Sequence, residues 1–462
     1  MDTKALRQKI LDLAIHGKLV PQDPNDEPAS VLLERIRAEK ERLIKEGKIK
    51  KGKKSAKTSD KPHYPFELPK GWCFTNIGEL LINRDGERKP VSSAIRSKQL
   101  NKIYDYYGAA GVIDKIDDYL FDEKLLLIGE DGANLLSKSK NNAFFAEGKY
   151  WVNNHAHVLD ATDKNLLEYV AIVINAIKLD DYITGSAQPK LSQDNLNKIP
   201  IVLPPLSEQK RIMVAIIHWS LLIEQIEQNK IDLQASIKQA KSKVLDLAIH
   251  GKLVQQDPND EPASELLKRI NPKAEIITDN GHYQKLPEGW TICKLKDICS
   301  KLVDGDHNPP KGTKDTTEYL MLSAQNIVND NIVYTNGVRY LNHDAFETSD
   351  KRTKVMQGDL LITIVGTLGR SCVFSDNKKI TLQRSVACLT PLIYNHFLKY
   401  YMDSSSIQKY MTTNAKGTAQ KGFYLNQLEQ LPIMIPPLTE QQRIVARIEK
   451  IFARLDVIES AL

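Results

Sequence analysis

The sequence lacks the features of a secreted, membrane or metal-binding protein. Its most apolar run, Tyr169 to Ile177, is far too short to cross a bilayer. The first ten residues, MDTKALRQKI, lack the apolar core of a signal peptide, so we expect a cytoplasmic location. The cysteines are odd in number and include no C-x-x-C pair, so we expect reduced structural thiols rather than disulfides or zinc ligands at Cys73, Cys293, Cys299, Cys372 and Cys388.

Motifs that would carry catalysis are also missing. No stretch supplies the GxxxxGK[ST] loop that cradles phosphates, and we predict strand-end turns for GEDGAN (129–134) and GTLGR (366–370). The sequence HAH (155–157) places two imidazoles on one face of a strand, but no nearby carboxylate or third histidine completes a metal site. We therefore expect no metal and no catalytic residue, and interpret HAH as packing or polar surface.

One fragment, DGDHNPPKG (304–312), needs a separate argument. Asn308, Pro309 and Pro310 are similar to the Asn-Pro-Pro-aromatic loop of amino methyltransferases, which holds an extruded base. Here Lys311 replaces the aromatic residue, and no glycine-rich site for S-adenosylmethionine lies upstream. We interpret the fragment as a DNA-facing or structural loop.

Length and charge are compatible with many classes of multidomain protein. The chain has 462 residues, of which 26% are charged, and this length accommodates two or three domains with real cores. The net charge of +6 permits a nucleic-acid partner without proving one.

Internal repetition is the strongest signal in the sequence. LDLAIHGKLVPQDPNDEPAS (11–30) returns almost unchanged at 245–264, and LPPLSEQKRI (203–212) returns as IPPLTEQQRI (435–444). Weaker pairs lie between them: LPKGW (68–72) with LPEGW (286–290), and GSAQ (185–188) with GTAQ (417–420). The chain is therefore a tandem duplication.

A long helix is predicted between the two copies. Apolar residues recur every 3.5 residues from about Ser207 to His250, interrupted at Lys230, which is typical of a helix that wraps a partner helix. Ser207 is the expected N-cap and Gly251 the expected stop. At about 1.5 Å per residue the rod would be on the order of 60 Å long. The predicted seam comprises Ile212, Ile216, Trp219, Ile223, Ile226, Leu233, Ile237, Val244 and Leu247, with Ile444, Ile448, Ile451 and Leu455 near the C-terminus. An ordinary buried helix is the alternative.

The repeat phase predicts how this helix is partnered. The first residues of the chain match the far end of the central helix, and the last residues match its beginning. We expect these terminal pieces to pack on it as antiparallel partners, relating the halves by an approximate twofold axis.

The predicted fold class is α+β, with two similar domains separated by long helices that form an antiparallel coiled coil. Expected strands include KLLLIGE (124–130) and DLLITIVG (359–366), and expected helices include 166–177 and a short helix from Ser30 to about Glu46. The stretch 47–62 is basic and low in complexity, and we interpret it as a solvated linker. The predicted domains are 1–63 (repeat helix and basic linker), 64–203 (first variable domain), 204–282 (central repeat), 283–435 (second variable domain) and 436–462 (C-terminal repeat helix).

With these repeats in hand, the whole chain resembles the specificity subunit of type I restriction-modification systems. The resemblance rests on the duplicated LAIHGKLV block, the two PPL(S/T)EQ helix entries, the LPxGW starts and the GSAQ and GTAQ ends. It implies a non-catalytic DNA reader whose two target-recognition domains each read half of a bipartite, asymmetric site. It further implies double-stranded DNA, two modification (methyltransferase) subunits that carry S-adenosylmethionine, and restriction subunits (ATP-driven translocases and nucleases) as partners, with no cofactor in this chain. The C-terminal rod ends at Leu462, short of the central helix, so either the N-terminal piece completes it or the chain is shortened.

Candidate DNA contacts are side chains able to read base edges or hold phosphate. In the first domain they are Lys138, Lys140, Asn141, Asn142, Gln188 and Lys190. In the second they are His307, Lys311, Lys314, Arg370, Lys416, Gln420 and Lys421. Solvated loop residues are the alternative for each.

Two other functions are weighed against a DNA reader. A self-contained DNA methyltransferase or nuclease would need a cofactor loop or a carboxylate-lysine cluster that is not found in the sequence. A coiled-coil scaffold without a DNA role leaves the two dissimilar domains unexplained. The long central helix could hold the two domains at half-sites about one 34 Å turn of DNA apart. In that case, lengthening the helix should change the length of the DNA spacer between the half-sites and leave the half-sites themselves unchanged.

Overall fold

The computed structural model describes residues 2–49, 67–185, 187–278, 286–417 and 421–462. The chain divides into two compact units, Met1–Asn229 (unit 1) and Lys230–Leu462 (unit 2). Most of the predicted basic linker and Gln420 lie outside the described residues. No helix in the described ranges is long and apolar enough to span a membrane.

Unit 1 is an α+β structure. Its helices are α1 (Thr3–Ile15), α2 (Ala29–Lys45), α3 (Ile77–Leu80), α4 (Ser93–Arg96), α5 (Asn134–Ser137), α6 (Lys164–Ala176), α7 (Gln193–Lys198) and the first part of α8 (Leu206–Ile249), with single 3-10 turns at Asp85–Glu87 and Asp180–Tyr182. Its strands are β1 (Cys73–Asn76), β2 (Ile82–Asn83), β3 (Tyr104–Gly108), β4 (Gly111–Ile116), β5 (Phe121–Asp122), β6 (Leu125–Gly129), β7 (Ala143–Ala146), β8 (Lys149–Val152), β9 (Ala156–Asp160) and β10 (Pro200–Leu203).

Unit 2 repeats this composition. After the second part of α8 its helices are α9 (Ala263–Ile270), α10 (His343–Thr353), α11 (Asn395–Asp403), α12 (Ser405–Thr413), α13 (Leu425–Glu429) and α14 (Leu438–Ser460), with 3-10 turns at Leu295–Ile298 and Ala324–Asn326. Its strands are β11 (Thr291–Lys294), β12 (Cys299–Asp304), β13 (Tyr319–Leu322), β14 (Ile327–Val328), β15 (Asn331–Ile332), β16 (Arg339–Tyr340), β17 (Leu360–Thr363), β18 (Ser371–Val373), β19 (Lys379–Leu382), β20 (Val386–Pro391) and β21 (Pro432–Ile435).

The two units share the topology of their main sheet, as the duplication predicts. The main sheet has the order β2-β9-β6-β7 in unit 1 and β12-β20-β17-β18 in unit 2, and every neighbouring pair is antiparallel. A second sheet contains the parallel pair β3-β8 in unit 1 and β13-β19 in unit 2. A short antiparallel pair, β1-β10 or β11-β21, joins the start of each domain to its end. The prediction of two similar α+β domains is confirmed.

The cores explain why the predicted strands and helices form. The central strand β6 is buried along its whole length, and α6 packs its apolar face into the same cluster as Ala14 of α1 and Ile212 of α8. In unit 2, β17 and α11 occupy the equivalent cluster with Leu245 of α8 and Ile444 of α14. Each unit therefore has its own core, to which part of the long helix contributes.

The long helix α8 spans 44 residues, close to the prediction. It starts at Leu206, so Ser207 lies inside its first turn and is not the N-cap. Its end is as predicted: Gly251 has φ +65°, its N–H donates to the Ala248 carbonyl, and the next N–H donates to the Leu247 carbonyl. This is the Schellman arrangement, which requires a left-handed residue at this position. The same bonds end α1 at Gly17 (φ +64°).

Each unit contains the same antiparallel helix pair. In unit 1, α1 lies against the first part of α8, with Arg7 Nη2 3.1 Å from Glu227 Oε2. In unit 2, α14 lies against the second part of α8, with Lys241 Nζ 2.9 Å from Glu459 Oε2. The repeat offsets of 234 and 232 carry Arg7 to Lys241 and Glu227 to Glu459. The prediction that the terminal pieces partner the central helix is confirmed within each unit.

Three predicted seam residues are instead exposed: Trp219 (43%), Ile226 (38%) and Leu233 (40%). Along the first part of α8 the covered positions include Ile212, Ile216, Ser220 and Ile223, which lie on one face of a helix with 3.6 residues per turn. At about 100° per residue, Trp219 and Ile226 lie on one side of Ile212, whereas Ile216 and Ser220 lie on the other side, which is the side that unit 1 covers. Leu233 lies about two turns before Lys241, the residue of α8 that contacts Glu459 near the end of α14. The remaining seam residues are buried or half-buried.

The repeated sequence blocks meet at one junction in each unit. Glu208, in the first turn of α8, is buried and accepts hydrogen bonds from Trp72 Nε1 (2.9 Å) and Gln22 Nε2 (3.2 Å). In unit 2, Glu440 accepts from Trp290 (3.0 Å) and Gln256 (3.0 Å). The LAIHGKLV block, the LPxGW segment and the PPL(S/T)EQ helix entry therefore repeat together because they form one contact network.

Candidate functional site

Polar side chains gather at one edge of the main sheet in each unit. In an antiparallel sheet, the end of one strand lies beside the start of its neighbour. In unit 1 this edge holds the ends of β2 and β6 and the start of β9; in unit 2 it holds the ends of β12 and β17 and the start of β20. We call this the loop edge.

A loop of seven residues, 184–190, lies along this edge in unit 1. Residue 186 is not described. We call this segment the returning loop. Its ends are joined by two bonds between Thr184 and Lys190, with N···O distances of 2.9 and 2.8 Å. The turn after β6 holds it: Gly132 N–H donates to the Pro189 carbonyl (3.0 Å), and Leu191 N–H donates to the Glu130 carbonyl (2.7 Å).

The returning loop of unit 2, residues 416–422, of which 418–420 are not described, is held by the same four bonds. Lys416 and Gly422 exchange two bonds of 2.8 Å. Gly366 N–H donates to the Lys421 carbonyl (3.1 Å), and Phe423 N–H donates to the Ile364 carbonyl (2.8 Å). The GSAQ and GTAQ repeats thus belong to one backbone framework. The predicted strand-end turns at 129–134 and 366–370 supply backbone groups that bond to it.

Several predicted DNA contacts lie on this framework. Gln188 and Lys190 are exposed in unit 1, and Lys416 and Lys421 are exposed in unit 2. Arg370, at the end of the turn after β17, is also exposed. The structure therefore brings together residues that are far apart in sequence, as a binding surface requires.

The other unit 1 candidates lie in the segment after α5. Asn142 is 1% exposed; its Oδ1 accepts from Asn134 (2.8 Å) and its Nδ2 donates to the Leu135 carbonyl (3.0 Å). The expectation of an exposed amide is therefore wrong at Asn142. Lys138 turns its ammonium onto the Asn175 and Ile177 carbonyls at the end of α6, where burial lowers its pKa. Lys140 and Asn141 remain exposed.

The DGDHNPPKG fragment forms the rim of the loop edge in unit 2. His307 Nε2 lies 2.7 Å from Asp304 Oδ2, and Arg339 donates to the Pro310 carbonyl (2.6 Å). Lys311 and Lys314 are exposed beside it. The fragment is a loop after β12, as the sequence predicts, and its contact with DNA stays a prediction.

Sequence reasoning missed two basic residues on the loop edge. Arg384 is exposed two residues before β20, and its N–H donates to the Asp306 carbonyl (3.0 Å), which places it beside the His307 segment. Arg88 in unit 1 lies under the edge, where it pairs with Glu130. Neither belongs to a charge run or a repeated motif, so the strand pairing is needed to find them.

The two loop edges carry chemistry suited to nucleic acid. Lysine and arginine neutralise phosphates, and arginine, glutamine and histidine also present donors to base edges. The backbone framework is shared, but Lys190 corresponds to Gly422 and Pro189 to Lys421 at the repeat offset of 232. One scaffold thus presents two different sets of side chains.

Comparison with known proteins identifies this scaffold. The profile of the family described as "Type I restriction modification DNA specificity domain" matches residues 69–237 and 287–461, each containing one loop edge. The chain belongs to this family. The two matched ranges make it a specificity subunit with two recognition domains, and the alternative of a self-contained methyltransferase or nuclease is not favoured.

Individual relatives agree with this assignment. The chain is 28% identical to the specificity subunit of type I restriction enzyme EcoEI from Escherichia coli, over 99% of this chain and 90% of that protein. It is 32% identical to the EcoAI specificity subunit from the same species, over 64% of this chain and 62% of that protein. The fold of the HsdS subunit from Thermoanaerobacter tengcongensis is similar, with a TM-score of 0.50 and 15% identity over 86% of this chain and 93% of that structure.

Proposed function

We propose that the two loop edges each read one half of a bipartite, asymmetric DNA site. The observation that carries this proposal is the returning-loop framework: four identical backbone bonds hold two loops whose side chains differ. A shared backbone fixes how each domain meets the duplex, whereas different side chains select different bases.

The chain acts with other subunits of a restriction-modification system rather than as an enzyme. Two modification subunits bind S-adenosylmethionine and transfer the methyl group to DNA, and restriction subunits join them for cleavage. The specificity subunit supplies sequence recognition, and the complex works in the cytoplasm. The family assignment supports this division of labour, and so does the exposed basic and amide chemistry of the loop edges.

One reconstitution experiment tests the proposal. The purified chain is incubated with DNA and labelled S-adenosylmethionine, with and without the modification subunit, and methylated positions are mapped. We expect methylation only when the modification subunit is present, at a site with two different half-sites. Methylation or cleavage by the isolated chain would indicate a self-contained enzyme. Methylation whose positions do not depend on the chain would exclude a role in recognition.

A further inference from the structure

The DGDHNPPKG fragment (304–312) of unit 2 is attached to the end of helix α10. Arg352, in the last turn of α10, donates from Nε to the Asp304 carbonyl (2.8 Å) and from Nη2 to Asp304 Oδ1. Ser349, about one turn earlier, donates from Oγ to Asp306 Oδ2 (2.5 Å). Two residues of the fragment are therefore bonded to a helix that follows them by 43 to 48 residues in the chain.

Asp304 connects this helix to His307. Its side chain is only 10% exposed; Oδ1 accepts from Arg352, and Oδ2 lies 2.7 Å from His307 Nε2. A carboxylate bonded to a guanidinium acts as an acceptor, so the Nε2 that faces it carries the proton whether the imidazole is neutral or charged. Nδ1 is then the ring nitrogen left to meet a base edge, on a side chain that is 56% exposed.

The start of the fragment is also fixed by backbone bonds to β19 and β20. Gly305 N–H donates to the Val386 carbonyl (3.0 Å), and the next N–H donates to the Leu382 carbonyl (2.7 Å). A Cβ on Gly305 would lie 2.3 Å from the Leu382 oxygen, so this close approach requires glycine. These bonds do not involve Arg352. Removal of its side chain should therefore free the Asp304 carboxylate without displacing the backbone of the fragment.

Unit 1 has the same carboxylate with different partners. Asp85 and Asp304 each begin an Asp-Gly pair at or just after the end of the first strand of the main sheet, and each has a basic residue three positions later. In unit 1 this base is Arg88, which lies 3.4 Å from Asp85 and is only 12% exposed, and His157 supplies a second base at 2.7 Å. A carboxylate between two bases is thus common to both units, whereas the exposed base belongs to unit 2.

A metal ion is another interpretation of the unit 1 residues. Ligand atoms of Asp85, Glu130 and His157 lie within 4.8 Å of one another. However, Arg88 lies 2.7 Å from Glu130 and 3.4 Å from Asp85, and His157 Nε2 faces the Leu191 carbonyl oxygen at 2.8 Å. Protein groups balance the negative charge, so we assign no metal there.

We propose that Arg352 is a positioning residue for recognition of the unit 2 half-site: it fixes Asp304, and Asp304 fixes the imidazole of His307 against a base. The torsions of an exposed side chain are not fixed by its backbone alone, and a residue that reads a base needs a supporting bond to hold one rotamer. This proposal rests on the proposed function, because it requires the loop edge of unit 2 to meet DNA.

The test is a double-mutant cycle in the full complex with the modification subunit. Discrimination is measured as the ratio of methylation rates on the recognised site and on sites with single-base changes, separately for each half-site. Arg352→Ala and His307→Ala should each reduce discrimination in the unit 2 half-site roughly tenfold at one base pair. The double variant should lose no more than His307→Ala alone, because Arg352 acts through His307.

Two further variants serve as controls. Lys351→Ala removes the exposed neighbour of Arg352 on the same helix and should retain the natural discrimination. Arg352→Lys keeps a cation that can reach the Asp304 carboxylate and should restore part of the discrimination. In every variant the unit 1 half-site should be read as in the natural chain, which shows that the complex has assembled.

Three results would overturn the proposal. The first is natural discrimination in Arg352→Ala. The second is an additive loss in the double variant, which would mean that Arg352 acts independently of His307. The third is equal weakening of binding to all sequences with a shallower salt dependence, which is the behaviour of a phosphate contact.

Nitrogen-15 NMR of the isolated chain, labelled at its histidines, gives a second measurement that needs no DNA. The His307 signal is assigned by its absence in His307→Ala. Its Nε2 proton should exchange slowly with water in the natural chain and faster in Arg352→Ala, and equal exchange in the two would refute the positioning role. A complex that never discriminates between bases in the unit 2 half-site would refute the proposed function, whereas the exchange result would still decide whether Arg352 holds His307.

Discussion

Replacing Gly17 by alanine should destabilise unit 1 well beyond the ordinary cost of such a change. Gly17 has φ +64°, and a Cβ there would lie 2.5 Å from Pro69 Cγ and 3.2 Å from Trp72 Cζ2. The left-handed conformation costs an L-residue roughly 1–2 kcal/mol, and forced overpacking adds typically about 1–3 kcal/mol. We therefore expect a loss of about 2–5 kcal/mol, because Pro69 and Trp72 belong to the junction with Glu208 and cannot move freely.

Gly148→Ala separates these two contributions. Gly148 also has a positive φ (+74°), but nothing lies within 4 Å of the added Cβ, so this variant pays the conformational cost alone. Scanning calorimetry of the full chain would measure both. In a unit of this size, 1 kcal/mol corresponds to about 2–4 °C, so Gly17→Ala should lower the unit 1 transition by about 4–20 °C. Equal shifts for the two variants would refute the close packing at the repeat junction.

Three further predictions concern the loop edge, the long helix and the buried junction. The double variant Lys416→Ala, Lys421→Ala should weaken DNA binding. Its plot of log affinity against log salt concentration should be shallower by about 0.9 for each phosphate that is no longer neutralised. Lys268→Ala should change neither the affinity nor this slope. Insertion of four residues near Asn229 should change the unread spacer and leave the half-sites alone; an unchanged spacer in methylation maps would contradict this. Burial raises the pKa of Glu208, so its contribution to stability is greatest in acid and is lost as pH rises through the raised value. Glu208→Gln should therefore flatten the pH dependence of the free energy of unfolding of unit 1 above about pH 4. An unchanged pH dependence in this variant would contradict the prediction.

The features that the sequence predicted well are local or repeated. The bounds of α8, the short helix α2 and the central strands β6 and β17 follow from apolar periodicity and from glycine at Gly251. The similarity of the two domains follows from repeat blocks that share one junction. Periodicity and caps act within a few residues of the chain, so a single sequence carries them.

The features that it predicted poorly depend on tertiary contacts. Asn142 looks like an exposed loop amide, but its burial follows from contacts with Asn134 and Leu135. The partners of His157 come from residues 85 and 130, which strand pairing brings together and no sequence spacing indicates. Trp219 is exposed because the rest of unit 1 covers the side of α8 that carries Ile216 and Ser220, and the apolar pattern of the helix alone does not indicate which side is covered.

The central claim is that two copies of one scaffold read two different half-sites. It is tested most directly by mapping methylation, in complex with the modification subunit, for the natural chain and for Arg370→Ala, which alters the loop edge of unit 2. We predict a bipartite site in which the variant relaxes the bases of one half-site and leaves the other unchanged. A contiguous or symmetric site, or a variant that alters both halves equally, would contradict the account.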